Sequence, residues 1–248
     1  MWPGPGGLAS RRSGQWRPSR RQVTVAASKK VGVVADWRSW KLIVRDLAVE
    51  RSDRRVLDHV SFTVGCGEAV VLRGPNGTGK TTLIRAIAGL LPAAAGEIAL
   101  EGRPDDAPVG TYCHYIAHRN ALKGDLSVRE NLLFWKDISG IQPSPFDAIS
   151  ERVDLADLVD IPVRYLSAGQ QRRVALARLL VSPRPLWLLD EPTVSLDQSH
   201  TELFSGLANE HLTEGGMIVA ATHLPLGFRG ERVLRLAAES GDAERVRL

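Results

Sequence analysis

The chain is predicted to fold as an α/β domain, with a mainly parallel sheet covered by helices on both faces. Three observations predict it. The runs EAVVLRG (Glu68 to Gly74), LWLLD (Leu186 to Asp190) and MIVAAT (Met217 to Thr222) are nearly unbroken apolar stretches, as strands buried on both faces are. Segments of helical period separate them. The first run leads straight into a glycine-rich loop and then a helix. A length of 248 residues suits one large α/β domain or two small ones, and 44% hydrophobic with 24% charged residues is an ordinary globular profile. No apolar run is long enough to span a bilayer, so work at a membrane would need partners to hold the chain there.

Residues 1–40 are rich in Gly, Pro, Ser and Arg and lack periodicity. Between Met1 and Lys41 nine basic residues face one acid, Asp36, so most of the basicity behind the net charge of +4 lies here and the remainder is mildly acidic. Three readings fit this extension: a start codon assigned too far upstream, a disordered tail, or an Arg- and Ser-rich transit peptide. The absence of an apolar stretch after the basic residues argues against a secretory signal. Residues 41–248 form the expected domain. KLIVRDLAV alternates like a half-buried antiparallel strand, and VSFTV resembles a second. EAVVLRG is the expected central parallel strand. TTLIRAIAGLL reads as a helix ended by Pro92, and Ser127 to Leu158 shows helical periods. VALARLLVS is a helix closing before Pro183. LWLLD and MIVAAT are strands and VLRLAAES closes the domain; the roughly two dozen residues past His223 are expected to be too few for an accessory C-terminal domain. Cys66 and Cys113 lack metal-ligand spacing and are expected to be small buried hydrophobes in a reducing compartment.

The chemistry-bearing residues fall in four stretches. Gly74-Pro75-Asn76-Gly77-Thr78-Gly79-Lys80-Thr81, followed by Thr82, fits the phosphate-binding pattern G-x-x-x-x-G-K-[ST]. Its glycines let backbone N–H groups turn inward around phosphates, Lys80 reaches the β- and γ-phosphate oxygens, and the Thr81 hydroxyl ligates Mg²⁺. The helix that follows adds its positive N-terminus. Asp190 and Glu191 are adjacent carboxylates at a strand end. Alone they would be a solvated turn; beside a phosphate loop, Asp190 suits Mg²⁺ and Glu191 suits orienting the attacking water. In LSAGQ, Ser167 either caps the following helix or offers its hydroxyl and the helix N-terminus to an anion. His223, just past a strand, is a structural histidine or a γ-phosphate contact.

Together these stretches resemble the nucleotide-binding subunit of an ATP-binding-cassette (ABC) transporter, over about Lys41 to Leu248. GPNGTGKT is similar to the Walker A loop, LSAGQ to the signature, LLDEP to the Walker B strand, Ser195-Leu196-Asp197 to the D-loop and His223 to the switch histidine. The resemblance implies a P-loop NTPase (RecA-like) core, an antiparallel β subdomain and an inserted helical subdomain at about residues 119–167. It implies ATP and Mg²⁺ as cofactors and a head-to-tail homodimer, each ATP lying between one Walker A loop and the partner's signature, with Ser167 and Gly169 on the γ-phosphate and Asp197 nearby. Lys80, Glu191 and His223 are then the catalytic set. Two positions depart from the general pattern. His118 stands where most of the family has a glutamine that touches Mg²⁺ and relays to the membrane partner. Arg51 stands where an aromatic residue usually stacks on adenine, which a planar guanidinium also does.

Tyr115 to Trp135, YIAHRNALKGDLSVRENLLFW, is similar to one branch of the family, the ATP-binding subunits of cytochrome c maturation. The branch implies ATP-driven haem export or release of a haem-loaded periplasmic chaperone. It implies integral membrane permease-type partners and a peripheral place on the cytoplasmic face of the inner membrane. The alternatives are a transporter cassette for another cargo, such as a lipid, lipoprotein or antibiotic, and a soluble ABC ATPase acting on nucleic acid or ribosomes. The last is disfavoured, with no nucleic-acid partner expected. The folded part is acidic, a single cassette is present, and the roughly 86 residues from Lys80 to Leu166 are too few for a coiled-coil arm.

Overall fold

The computed structural model describes residues 37–52, 54–139, 146–237 and 246–247, all within the compact unit Val31–Leu248. Residues 1–36, most of the basic extension, lie outside the described residues. The folded chain starts earlier than composition suggested. Trp37–Ser39 form a 3-10 turn, and Trp40 is buried, its ring edge-on to Tyr112 at 5.2 Å.

Two sheets organise the domain. Strands β1 (Lys41–Arg51), β2 (Arg54–Gly65) and β4 (Ala95–Glu101) make a three-stranded antiparallel sheet in the order β2-β1-β4. The second sheet has six strands in the order β5-β6-β7-β3-β8-β9. Its members are β3 (Ala69–Arg73), β5 (Cys113–Ile116), β6 (Leu186–Asp190), β7 (Met217–Ala221), β8 (Arg232–Leu236) and β9 (Val246–Arg247). The pairs from β5 to β8 are parallel and only β9 joins antiparallel.

The central strands divide their side chains by the period of two. Val70, Leu72, Leu186, Leu188, Met217 and Val219 face a core shared with helix α1 (Lys80–Ile87) and the antiparallel sheet. Ala69, Val71, Trp187, Leu189, Ile218 and Ala220 face the opposite core, filled by α4 (Ala168–Val181) and α5 (Gln198–Thr213). Both faces are covered, which explains the unbroken apolar runs. One cover, however, is a helix together with a sheet rather than helices alone. A third core, between α2 (Val128–Ser139), α3 (Phe146–Arg152) and α4, holds Val128, Leu132, Ile149, Val153 and Val174.

Several element boundaries differ from the sequence expectation. Helix α1 stops at Ile87 instead of running to Pro92, because Gly89 takes a left-handed φ of 73° and Leu90 N–H turns back to Arg85 O at 2.9 Å. The segment of helical periods from Ser127 to Leu158 resolves into α2, α3 and a 3-10 turn at Ala156–Leu158; residues 140–145 lie outside the described residues. Neither strand β4 nor helix α5 was among the expected elements; β4 is largely exposed, so little apolar alternation marks it, whereas α5 buries Phe204, Leu207, Ala208 and Leu212 at helical spacing. Of VLRLAAES, Val233 to Leu236 form most of β8 and the end lies outside the described residues. Cys66 and Cys113, expected to be buried, are both partly exposed and free.

Candidate nucleotide-binding site

The strands β3, β5, β6 and β7 run parallel, so the loops at their carboxyl ends meet along one edge of the sheet. These loops line a cavity of about 420 Å³. The cavity brings together Asn76, Gly77, Gly79, Lys80, Thr81 and Thr82 after β3, His118 after β5, Asp190 and Glu191 at the end of β6, and His223 after β7. Arg51, at the end of β1, lines it as well, beside Val56, which no sequence signal marked.

The phosphate-type loop is shaped before any ligand arrives. At Gly74 φ is 148°, and a Cβ there would lie 2.3 Å from Leu236 O, so only glycine lets the loop leave β3 beside β8. Thr78 Oγ1 donates to Pro75 O at 3.0 Å. The Lys80 ammonium curls back to donate to Gly74 O at 2.7 Å and Pro75 O at 2.9 Å. Burial lowers the Lys80 pKa, and the charges of Glu191 and Asp190 oppose that fall. A cation held only by two carbonyls is ready to exchange them for more basic phosphate oxygens.

Thr81 and Asp190 form the donor set for a cation. Thr81 Oγ1 donates to Asp190 Oδ1 at 3.1 Å and Oδ2 at 3.0 Å. Burial raises the Asp190 pKa, the Thr81 hydroxyl opposes the rise, and the neighbouring Glu191 charge adds to it. Among the described residues no three His, Cys, Asp or Glu side chains are assembled to hold a metal. One carboxylate and one hydroxyl suit Mg²⁺, which keeps several waters and takes its remaining oxygens from substrate phosphates.

Glu191 has a φ of 50°, and its N–H donates to Ala221 O at 2.8 Å, tying the turn to β7. A left-handed backbone at a non-glycine residue costs about 1–2 kcal/mol and persists where packing fixes it. His223 Nε2 pairs with Asn76 Oδ1 at 3.0 Å and lies 3.8 Å from Glu191 Oε1. The His223 turn is braced by Arg73, whose Nη1 donates to Thr222 O at 2.8 Å and Nη2 to Leu224 O at 2.9 Å. Sequence reasoning missed Arg73. Its one signal is a charge at the end of an otherwise apolar strand.

Three expected contributors do not line the cavity: Ser167, Gly169 and Asp197. Ser167 caps α4, its Oγ accepting Gln170 N–H at 3.2 Å while Gln170 Oε1 accepts Ser167 N–H at 2.8 Å. A Cβ on Gly169 would lie 2.8 Å from Ser195 O, so the helix start packs directly on the backbone before Asp197. Asp197 caps α5, accepting from His200 N–H and Ser199 Oγ at 2.9 Å each. The His200 backbone bond, then the Ser199 and His200 side chains, hold its carboxyl down at about 2. Both caps leave lone pairs or a hydroxyl proton free for a further contact.

The segment after His118 is held from α2 and α4. Asn131 Oδ1 accepts Lys123 N–H at 2.8 Å, and its Nδ2 faces the carbonyls of Lys123, Leu126 and Ser127 at 3.0, 3.2 and 2.9 Å. Lys123 Nζ sits 4.3 Å from the Phe134 ring centre, and the Arg178 guanidinium 3.8 Å from that of Trp135.

A phosphate-cradling loop between a buried strand and a helix, a carboxylate pair ending a neighbouring strand and an antiparallel sheet alongside define an ATP-binding-cassette ATPase domain. The chain belongs to the ABC transporter family, whose characteristic region matches residues 57–194. It is similar to the cytochrome c biogenesis ATP-binding export protein CcmA of Brucella abortus, at 50% identity across 77% of this chain and 88% of that one. The protein of the same name from Mesorhizobium japonicum is 51% identical across 77% of this chain and 95% of its own length. Among solved structures, the ATP-binding subunit of an ABC transporter superposes with a TM-score of 0.66 at 27% identity, covering 74% of this chain and 79% of that one.

Proposed function

We propose that the chain is the ATP-hydrolysing subunit of an ABC complex for cytochrome c maturation. It works as a pair of identical subunits on the cytoplasmic face of the inner membrane, beneath integral permease-type partners. The observation that carries the ATPase chemistry is the meeting of Lys80, Thr81, Asp190, Glu191 and His223 in one cavity. The name shared by relatives half identical over most of the chain supports the cytochrome c role.

In this reading the loop Gly74 to Thr82 cradles the phosphates with its backbone N–H groups, which every residue but Pro75 carries, and Lys80 swaps its two carbonyl partners for phosphate oxygens. Thr81 and Asp190 would hold Mg²⁺, which would supply positive charge to offset that developing on the phosphate oxygens. Glu191 orients and polarises water at the edge of the cavity. His223, already hydrogen-bonded to the loop through Asn76, contacts the γ-phosphate region. Arg51 stacks on the base, and His118 carries the link to the membrane partner. Ser167 and Gly169, which lie outside the cavity of their own chain, complete the site of the second copy, with Asp197 beside them. The work done is haem export or release of a haem-loaded periplasmic chaperone.

Deleting the gene and staining membrane and periplasmic proteins for covalently bound haem tests the role. Loss of c-type cytochromes, restored by the gene in trans, is expected. Normal c-type cytochromes after deletion would reject the role and leave a cassette for another cargo.

A further inference from the structure

Arg172 lies on α4, five residues after its cap, and is 2% exposed. A guanidinium carries five N–H donors and no acceptor, and burying it is costly unless those donors are met. Here all of them are met. Nε donates to Pro192 O at 2.8 Å. Nη1 donates to Ala117 O at 2.8 Å and Asn120 Oδ1 at 2.9 Å. Nη2 donates to Asp190 O at 3.2 Å and Glu191 O at 2.6 Å. Burial pulls its pKa down to about 10, opposed by the charges of Asp190 and Glu191, so the side chain stays charged at neutral pH.

The acceptors belong to two segments distant in sequence. One is the turn after β6, carrying both carboxylates of the cavity. The other is the loop after β5, carrying His118. The shortest bond goes to Glu191, the residue whose backbone is left-handed. We infer that Arg172 is a positioning residue for ATP hydrolysis, locking the Asp190–Glu191 turn and the His118 loop into one unit carried by the helix that begins at Ser167. The helix offered to the second copy's nucleotide is thereby tied to the carboxylates at its own. This rests on the ATPase reading of the cavity. Lysine cannot replace it: three donors radiating from one nitrogen do not span two segments.

The test uses the full chain with Arg172→Lys and, separately, Asn120→Ala, which removes only the side-chain acceptor on the His118 loop. Single-turnover hydrolysis, ATP affinity and amide hydrogen exchange over residues 189–194 are measured. Because the phosphate loop is untouched, ATP affinity is expected to stay within about threefold, while misplacement of the carboxylates lowers the hydrolysis rate about 10- to 100-fold for Arg172→Lys. Asn120→Ala is expected to lower it about 3- to 10-fold, and exchange in the turn to quicken in both. Rates within twofold of the unsubstituted chain, or a loss confined to ATP affinity, would overturn the inference. Should Arg172→Lys fail to fold, Asn120→Ala decides by the same readings. An unsubstituted chain that binds but never hydrolyses ATP would sink the ATPase reading instead.

Discussion

At Glu191 a left-handed backbone, an N–H anchored to Ala221 and a carbonyl gripped by Arg172 fix the direction of one carboxylate. That rigidity suits the proposed role of Glu191 in orienting water. Lys80 is the opposite case, a buried cation donating to two carbonyls, which the proposed mechanism has a phosphate displace. Lys80→Ala is expected to lower ATP turnover at least about 100-fold, measured as phosphate release at saturating ATP, with the fold retained because its two bonds join a loop to itself. Turnover near that of the unsubstituted chain would refute the role. The motif residues were legible because each pairs a distinctive side chain with a fixed spacing. Arg73 and Arg172 were not, since most of their acceptors are backbone carbonyls, which any residue supplies.

Among the elements, the central strands were readable because both faces are buried, so β7 is apolar throughout and β3 and β6 are apolar up to their last residues, Arg73 and Asp190. Strand β4 was not, since four of its seven residues are exposed and its place is set by pairing with β1. The helical insertion was legible only as period. Its start was written more plainly in Ser127 and Glu130, which form reciprocal caps with Ser127 Oγ accepting Glu130 N–H at 3.1 Å and Glu130 Oε2 accepting Ser127 N–H at 2.8 Å. Asn131, 3% exposed, staples the preceding loop to α2. Asn131→Ala leaves those backbone groups without their partner and is expected to cost about 2 kcal/mol, read as a lower urea midpoint. A midpoint equal to the original would show that the loop is held by other contacts.

At the scale of the molecule, the described residues hold no helix long and apolar enough to cross a membrane. The cavity gathers the phosphate-type loop, both carboxylates and His223 but not Ser167, Gly169 or Asp197. Those three sit together around the start of α4 and the turn before α5, facing no part of their own cavity. In the proposed mechanism a second copy brings its own Ser167, Gly169 and Asp197 to this cavity. The most direct measurement is the mass of the Glu191→Gln chain by size-exclusion chromatography with light scattering, with and without ATP. Removing the carboxylate proposed to polarise water, while leaving the binding loop intact, is expected to trap ATP and convert monomer to dimer, and the dimer is expected to fall apart when Ser167 is also changed to Arg. A Glu191→Gln chain that binds ATP yet stays monomeric would contradict the account.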